Sequence, residues 1–209
     1  MMTGRPDFPH DPYYVIIAGV GGQGNLMASR LLGDVMLKRG LRVTIGETFG
    51  VSQRGGSVMS HLSISRDSAR SPQIPRGRAH LVMGLEPSET IRVLADYGNP
   101  EVLVVCNTHP LYPIAVISGQ ADYPSPGKVR ESVSGLAARA WFLDATAEAM
   151  KLGSPIFGNV VMVGAGAGAG ALPVSRDEIE ASLARTLVPD RVAANLVAFD
   201  AGHASVEAR

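Results

Sequence analysis

A single cysteine, Cys106, in 209 residues leaves no internal disulfide to form. It also leaves this chain short of the roughly four thiolates that would ligate an iron–sulfur cluster. Net charge is equally scarce. Nineteen Lys+Arg against nineteen Asp+Glu sum to zero, which excludes a generic nucleic-acid binder and a polybasic membrane binder. Charged residues of either sign make up 18%, below the roughly 25% of an ordinary soluble chain. Mean hydropathy is slightly positive at +0.13. Glycine and alanine dilute the charge count, but so little charge also suggests a surface covered by another chain. Long apolar runs are missing too. The longest uncharged stretch, 152–175, contains Pro155 and Pro173, and its apolar centre at 160–172 falls short of the roughly 20 residues of a membrane helix. Residues 1–12 carry Arg5, Asp7, His10, Asp11 and three prolines with no apolar core, unlike a secretory signal. A cytoplasmic protein is expected.

What is present reads as α/β. The run 13–18, rich in β-branched and aromatic residues and bounded by Pro12 and Gly19, predicts a buried strand. Leu26, Met27, Leu31, Leu32, Val35 and Met36 form a helical stripe that stops at Gly40, and 42–45 predicts a second strand. Strand, helix and strand together suggest one right-handed βαβ unit. Further strands are expected at 57–64, 79–85, 102–106 and 141–143. Helices are expected at 87–97, 129–139, 146–152, 160–172, 176–187 and 190–201, with 110–127 mostly loop. The prediction is a Rossmann-like open, mostly parallel sheet with flanking helices and a helical C-terminal section. It forms one domain over 13–202, between tails at 1–12 and 203–209.

Two glycine clusters carry the chemistry. Gly19-Val20-Gly21-Gly22-Gln23-Gly24 fits G-x-G-x-x-G between a predicted strand and a predicted helix. There glycine permits a tight turn, and the helix N-terminus offers free N–H groups and a positive dipole end to an anion. Glu47 follows the second predicted strand, where a dinucleotide fold places a ribose-binding acid. The readings left open are NAD or FAD, another phosphate-bearing ligand, and a purely structural turn. The second cluster, Gln53-Arg54-Gly55-Gly56-Ser57, could form an anion-binding nest or a simple hairpin. Both clusters follow strands, so in a parallel sheet both lie at the carboxyl ends, where ligands bind. The candidate binding residues are Gly21, Gly22, Gln23, Gly24, Asn25, Arg54, Gly55, Gly56 and Ser57.

Other residues are weighed against plainer roles. His61 lies mid-strand, opposite the face of Val58, Leu62 and Ile64, and suits a hydrogen-bonded structural histidine better than a base. His109 follows a strand at a site-like position but also fits a turn with Pro110. Cys106 ends an apolar run and reads as an inert core thiol. Glu86 either faces the ligand crevice or caps the helix that follows it. Arg66, Arg70, Arg76, Arg78 and His80 make 66–80 locally basic. A docking face for an acidic partner and a contact to a ligand phosphate are the alternatives to a solvated loop. The solvated loop is the simplest account of that stretch, because 16 of the 19 basic residues are arginine and they are spread along the chain. Alternating Gly and Ala over 164–171 costs a helix roughly 3–4 kcal/mol relative to alanine alone. Such a helix requires close backbone approach by its neighbours, within the core or at a subunit contact.

The glycine clusters, together with further segments, resemble the gamma-type domain of 2-oxoacid:ferredoxin oxidoreductases. The resemblance lies in Gly19 to Gly24, then Ser52-Gln53-Arg54-Gly55-Gly56-Ser57-Val58 with Ser60-His61, and Ser71-Pro72-Gln73-Ile74-Pro75. It continues through Gly84-Leu85-Glu86-Pro87, Asn107-Thr108, Asp144-Ala145, Asn159-Val160-Val161-Met162 and Leu172-Pro173, covering 13–202. Within that family the pattern is most similar to the indolepyruvate type of beta subunit. The resemblance implies a Rossmann-like subunit of an enzyme that oxidatively decarboxylates a 2-oxoacid to an acyl-CoA and passes electrons to ferredoxin. It implies thiamine diphosphate and Fe–S clusters on a partner subunit, with ferredoxin reached through the complex and a homodimer as an option for the isolated chain. It also implies coenzyme A near the two glycine clusters. This sequence has no Gly-Asp-Gly thiamine signature, Gly33-Asp34-Val35 being nearest. The rival readings are an NAD(P)-dependent Rossmann oxidoreductase and a non-catalytic nucleotide-binding module.

Overall fold

In a computed structural model, residues 8–50 and 56–207 are described. Six strands form one sheet: β1 (Tyr13–Val20), β2 (Arg42–Phe49), β3 (Ser57–Ser65), β4 (Leu81–Gly84), β5 (Leu103–Asn107) and β6 (Arg139–Leu143). Their order is β2-β3-β1-β4-β5-β6. β1, β4, β5 and β6 pair in parallel, whereas β3 runs antiparallel to both of its neighbours. The sheet is therefore mostly parallel, as expected.

The expected βαβ unit is corrected in one respect. β1 and β2 point the same way, but β3 lies between them. Only residues 50–56 join β2 to β3. That connection is far shorter than the dozen or more residues of a parallel crossover, so β3 must return as a hairpin.

The helices are divided unequally over the two faces. One face is covered by α1 (Asn25–Lys38) and by the C-terminal helices α5 (Ala145–Lys151), α6 (Gly158–Gly168), α7 (Arg176–Leu183) and α8 (Pro189–Glu207). The other face carries α2 (Pro87–Tyr97) and α4 (Pro126–Leu136). Strand residues alternate between the two cores, as a two-sided sheet requires: Val15 and Ile17 face one, Ile16 and Ala18 the other. The loop expected at 110–127 contains one short helical turn, α3 (Ile114–Ile117), and α4 opens at Pro126, where Ser125 caps it.

The C-terminal elements differ most from expectation. The helix expected over 160–172 starts earlier and ends at Gly168, because Gly170 adopts φ +69°. There the Gly170 N–H donates to Ala167 O at 2.9 Å and the Ala171 N–H to Gly166 O at 3.1 Å, the hydrogen-bond pair of a Schellman stop. Gly170 thus terminates the helix rather than weakening its interior. The last helix runs on to Glu207 with Val206 buried, past the boundary expected at 202, and Phe8 packs into the main core from the expected N-terminal tail.

The close approach expected of the glycine–alanine helix comes from α8. A Cβ on Gly164 would lie 2.0 Å from Phe199 O, one on Gly168 2.5 Å from His203 O, and one on Gly202 1.8 Å from Val161 O. Small residues on both helices let the two backbones touch, and α6 is held between α8 and the sheet.

Candidate functional site

The carboxyl ends of β1 and β2 and the start of β3 meet at one edge of the sheet: Val20 lies opposite Ser57 and Phe49 opposite Val58. The two glycine segments touch there directly, the Gly21 N–H donating to Gly56 O at 2.9 Å. Of the candidate residues, Gly21 to Asn25, Gly56 and Ser57 come together; Arg54 and Gly55 lie outside the described residues.

Most of the polar side chains in this cluster are already engaged. The Gln23 amide folds back to accept the Val20 N–H and to donate to Leu85 O, both at 2.9 Å. Asn25 is buried and its Nδ2 donates to Val58 O at 3.0 Å. Ser57 Oγ donates to Glu89 Oε2 at 2.7 Å and accepts from the Arg92 guanidinium. What stays open is backbone. Gly24 precedes α1 in the left-handed region, φ +84°, and no side chain among the described residues caps the helix. The first intrahelical bond runs from the Ala28 N–H to Gly24 O at 3.0 Å, so the N–H groups of Asn25, Leu26 and Met27 have no intrahelical acceptor. Such a terminus suits an anionic group.

The glycines of the turn differ in role. Gly22, φ +98°, has no atom of the described residues within 4 Å of where a Cβ would stand. At Gly24 that space is filled: a Cβ would lie 2.0 Å from Asn159 Nδ2, which donates to Gly24 O at 3.2 Å. Asn159, at the start of α6, therefore fixes the turn from the far end of the chain.

Two cavities flank the turn. A crevice of about 430 Å³ lies at the ends of β4 and β5, lined by Gly22, Leu85, Asn107, His109, Thr146 and Asn159. A groove of about 560 Å³ lies on the other side, between Gly24, Asn25, Phe49, Gly56 and Ser57. Asn107 sets the shape of the crevice. Its Nδ2 donates to Leu85 O at 3.0 Å and Thr146 Oγ1 at 3.1 Å, while its Oδ1 accepts the N–H of Ala145 at 3.0 Å and of His109 at 3.3 Å. One buried amide thus ties together the exits of β4, β5 and β6. Asn107 and Asn159 were visible in the sequence only through the family resemblance. A polar amide closing or following an apolar run was the available signal.

The remaining candidates resolve into specific roles. Glu86 is fully buried and does not face the crevice. Its Oε2 accepts the Glu89 N–H at 2.9 Å and the Ser88 hydroxyl at 2.6 Å, and its Oε1 accepts the Tyr123 hydroxyl and, at 3.4 Å, the Leu111 N–H. It caps α2 and anchors the 111–123 loop. Burial first, and then Glu86, push the Tyr123 phenol well above its ordinary range. His61 is buried against the Tyr97 ring and accepts the Ile74 N–H at 3.4 Å, and burial lowers its pKa. The Cys106 thiol is buried and pushed up to about 12 by that burial, consistent with an inert core residue. His109 remains half-exposed on the crevice, 3.7 Å from the Asp144 carboxylate.

Glu47 overturns the dinucleotide geometry. It lies within β2 rather than after it, opposite Ser60, and β3 separates it from β1. That interposed strand moves the acid about 4.8 Å from the position a ribose on the glycine turn requires.

The family model for pyruvate ferredoxin/flavodoxin oxidoreductase matches residues 14–205. The chain belongs to this family. The oxidoreductase-family match extends to full-length relatives. The chain is 35% identical over 191 residues to indolepyruvate oxidoreductase subunit IorB of Pyrococcus horikoshii, covering 91% of this chain and 94% of that one. Among solved structures, the fold is shared with the gamma subunit of a keto/oxoacid ferredoxin oxidoreductase from Geobacter sulfurreducens. The TM-score is 0.67 at 18% identity, over 94% of this chain and 99% of that one. It is shared also with 2-oxoglutarate:ferredoxin oxidoreductase from Magnetococcus marinus, solved with 2-oxoglutarate, coenzyme A and succinyl-CoA. There the TM-score is 0.72 at 20% identity, over 96% of this chain but only 32% of that one. Among the described residues of this family member, no helix is long and apolar enough to cross a membrane.

Proposed function

We propose that this chain is the gamma-type subunit of a 2-oxoacid:ferredoxin oxidoreductase acting on arylpyruvates, and that it supplies part of the coenzyme A site. Thiamine diphosphate and the Fe–S clusters belong to a partner subunit, and ferredoxin is reached through the complex. The observation that carries the reading is near-full-length similarity to an indolepyruvate oxidoreductase subunit, on a fold whose two glycine segments meet at an uncapped helix N-terminus. A pyrophosphate is the part of coenzyme A that such a terminus suits. Leu111, Tyr112, Ile114 and Ile117 leave 44–78% of their surface exposed beside the crevice, in keeping with a face that another subunit covers.

Calorimetric titration of the chain copurified with its partner subunit tests this. Coenzyme A should bind and NADH should not, and Arg54→Ala should weaken coenzyme A about tenfold, the loss of one charge-assisted contact. Binding of NADH without coenzyme A would refute the proposal.

A further inference from the structure

A third groove, of about 570 Å³, leaves the glycine turn at Gly24 and Leu26 and follows α1 past Arg30 to Asp34, with the end of α7 and residues 185–186 as its other wall. Positions 27, 30, 31 and 34 share one side of α1, and Gly24 to Asp34 spans about 15 Å of helix. Its charge is unbalanced. Among the described residues Asp34 is the one acid lining it, and it is held by the Ser182 hydroxyl at 2.5 Å, Arg185 at 2.7 Å and Lys38 at 3.0 Å. Arg30 is exposed, with no ion-pair or hydrogen-bond partner among the described residues. Among its described lining residues, Arg30 and Arg185 against one carboxylate leave a local excess of one positive charge on a chain of zero net charge. The carbonyls at the end of α7, which would repel an anion, are occupied: Ser182 O accepts from Arg185 N–H and Leu183 O from Thr186 and Leu187 N–H.

The crevice on the opposite side of the turn has the reverse character. Leu85, Leu111, Pro155 and Ile156 supply apolar walls beside the Asn107 and Asn159 amides and the Thr146 and Ser154 hydroxyls, and among the described residues no Arg or Lys lines it. The three cavities form a series. Gly24 and Leu26 line both the cationic and the middle groove, while Gly21, Gly22 and Ile156 line both the middle groove and the crevice. The series thus runs from a cationic groove, past a helix N-terminus with free N–H groups, to a crevice that mixes apolar walls with neutral amides and hydroxyls.

We infer the direction in which coenzyme A lies across this surface, resting on the reading of the chain as a coenzyme A-binding subunit. The 3′-phosphoadenosine end occupies the α1–α7 groove beside Arg30 and Arg185, the pyrophosphate meets the first turn of α1, and the pantetheine arm enters the crevice with its thiol toward His109. The chemical order of the ligand matches the order of the cavities: a phosphate dianion, a pyrophosphate, then a largely apolar arm with neutral amides. In this direction the thiol emerges beside the exposed apolar 111–117 segment.

The test compares coenzyme A, dephospho-coenzyme A and pantetheine on the copurified complex, for the wild type and for Arg30→Glu, Arg185→Ala and the control Arg176→Ala. Arg176 is engaged with Asp200 at 2.9 Å, on α8. The wild type should prefer coenzyme A over the dephospho form about tenfold. Arg30→Glu should erase that preference, Arg185→Ala should reduce it, and both should leave pantetheine affinity unchanged; Arg176→Ala should alter nothing. If coenzyme A binds but the preference is absent or survives Arg30→Glu, the orientation is wrong while the coenzyme A reading stands. An equal loss of pantetheine and coenzyme A in Arg30→Glu would likewise overturn it. Failure of the wild-type complex to bind coenzyme A at all would remove both.

Discussion

The glycine turn at 19–24 and the glycine–alanine helix at 164–170 use the same residue for opposite ends. In the turn, glycine lets the backbone adopt positive φ at Gly22 and Gly24 and keeps the groove open at Gly22. In α6 the glycines are helical and serve contact: Gly164 and Gly168 remove the side chains that would hold α8 away. One region avoids atoms so that something else can enter. The other avoids them so that two backbones can close. Asn159 joins the regions, reaching from the first turn of α6 into the space left by Gly24. A glycine-rich sequence is therefore not one signal, and its meaning depends on what occupies the missing Cβ.

Substitutions at three glycines separate these roles. The largest effect is expected at Gly164→Leu, because the obstruction is the α8 backbone at Phe199 and cannot rotate away. Destabilisation of at least about 3 kcal/mol should appear in chemical denaturation, at the upper end of overpacking costs. A near-normal midpoint would show that α6 and α8 can separate cheaply. Gly24→Ala comes next, at about 2–3 kcal/mol, combining a left-handed backbone with a clash against the flexible Asn159 amide. Part of that loss should be recovered in the Gly24→Ala/Asn159→Ala pair, which a double-mutant cycle measures. Strict additivity would mean that the amide does not fix the turn. Gly22→Ala should cost only about 1 kcal/mol, from φ alone, since no atom of the described residues lies within 4 Å of the added methyl. Its larger consequence should be weaker coenzyme A binding in calorimetry, and unchanged affinity would move the ligand off this part of the turn.

The sequence by itself determined where the elements lie and what kind they are. Hydrophobic period and turn residues are local signals, and they placed β1, α1, β3, α2, β5 and α5 close to where they stand. They also picked out the glycine turn, whereas the second strand was expected to end at 45, which left the hairpin into β3 to the structure. The strand order was settled only by pairing, in which β3 entered between β1 and β2 and moved Glu47 away from the turn. In the alternating run 164–171 every glycine looks alike locally. Contact with α8 made Gly164 and Gly168 helical, and the return of the chain at Ala171, whose carbonyl accepts the Tyr13 hydroxyl at 2.9 Å, made Gly170 the stop. The candidate site divided in the same way. Gln23, Asn25 and Ser57 have the chemistry of ligand contacts, yet Leu85, Val58 and Glu89 take up their hydrogen bonds. Those partners lie 32 to 62 residues away, and Asn159 meets Gly24 across 135. No local pattern encodes such separations. A buried polar group must be satisfied by whatever the fold brings beside it, so the tertiary structure decides which donors remain for a ligand.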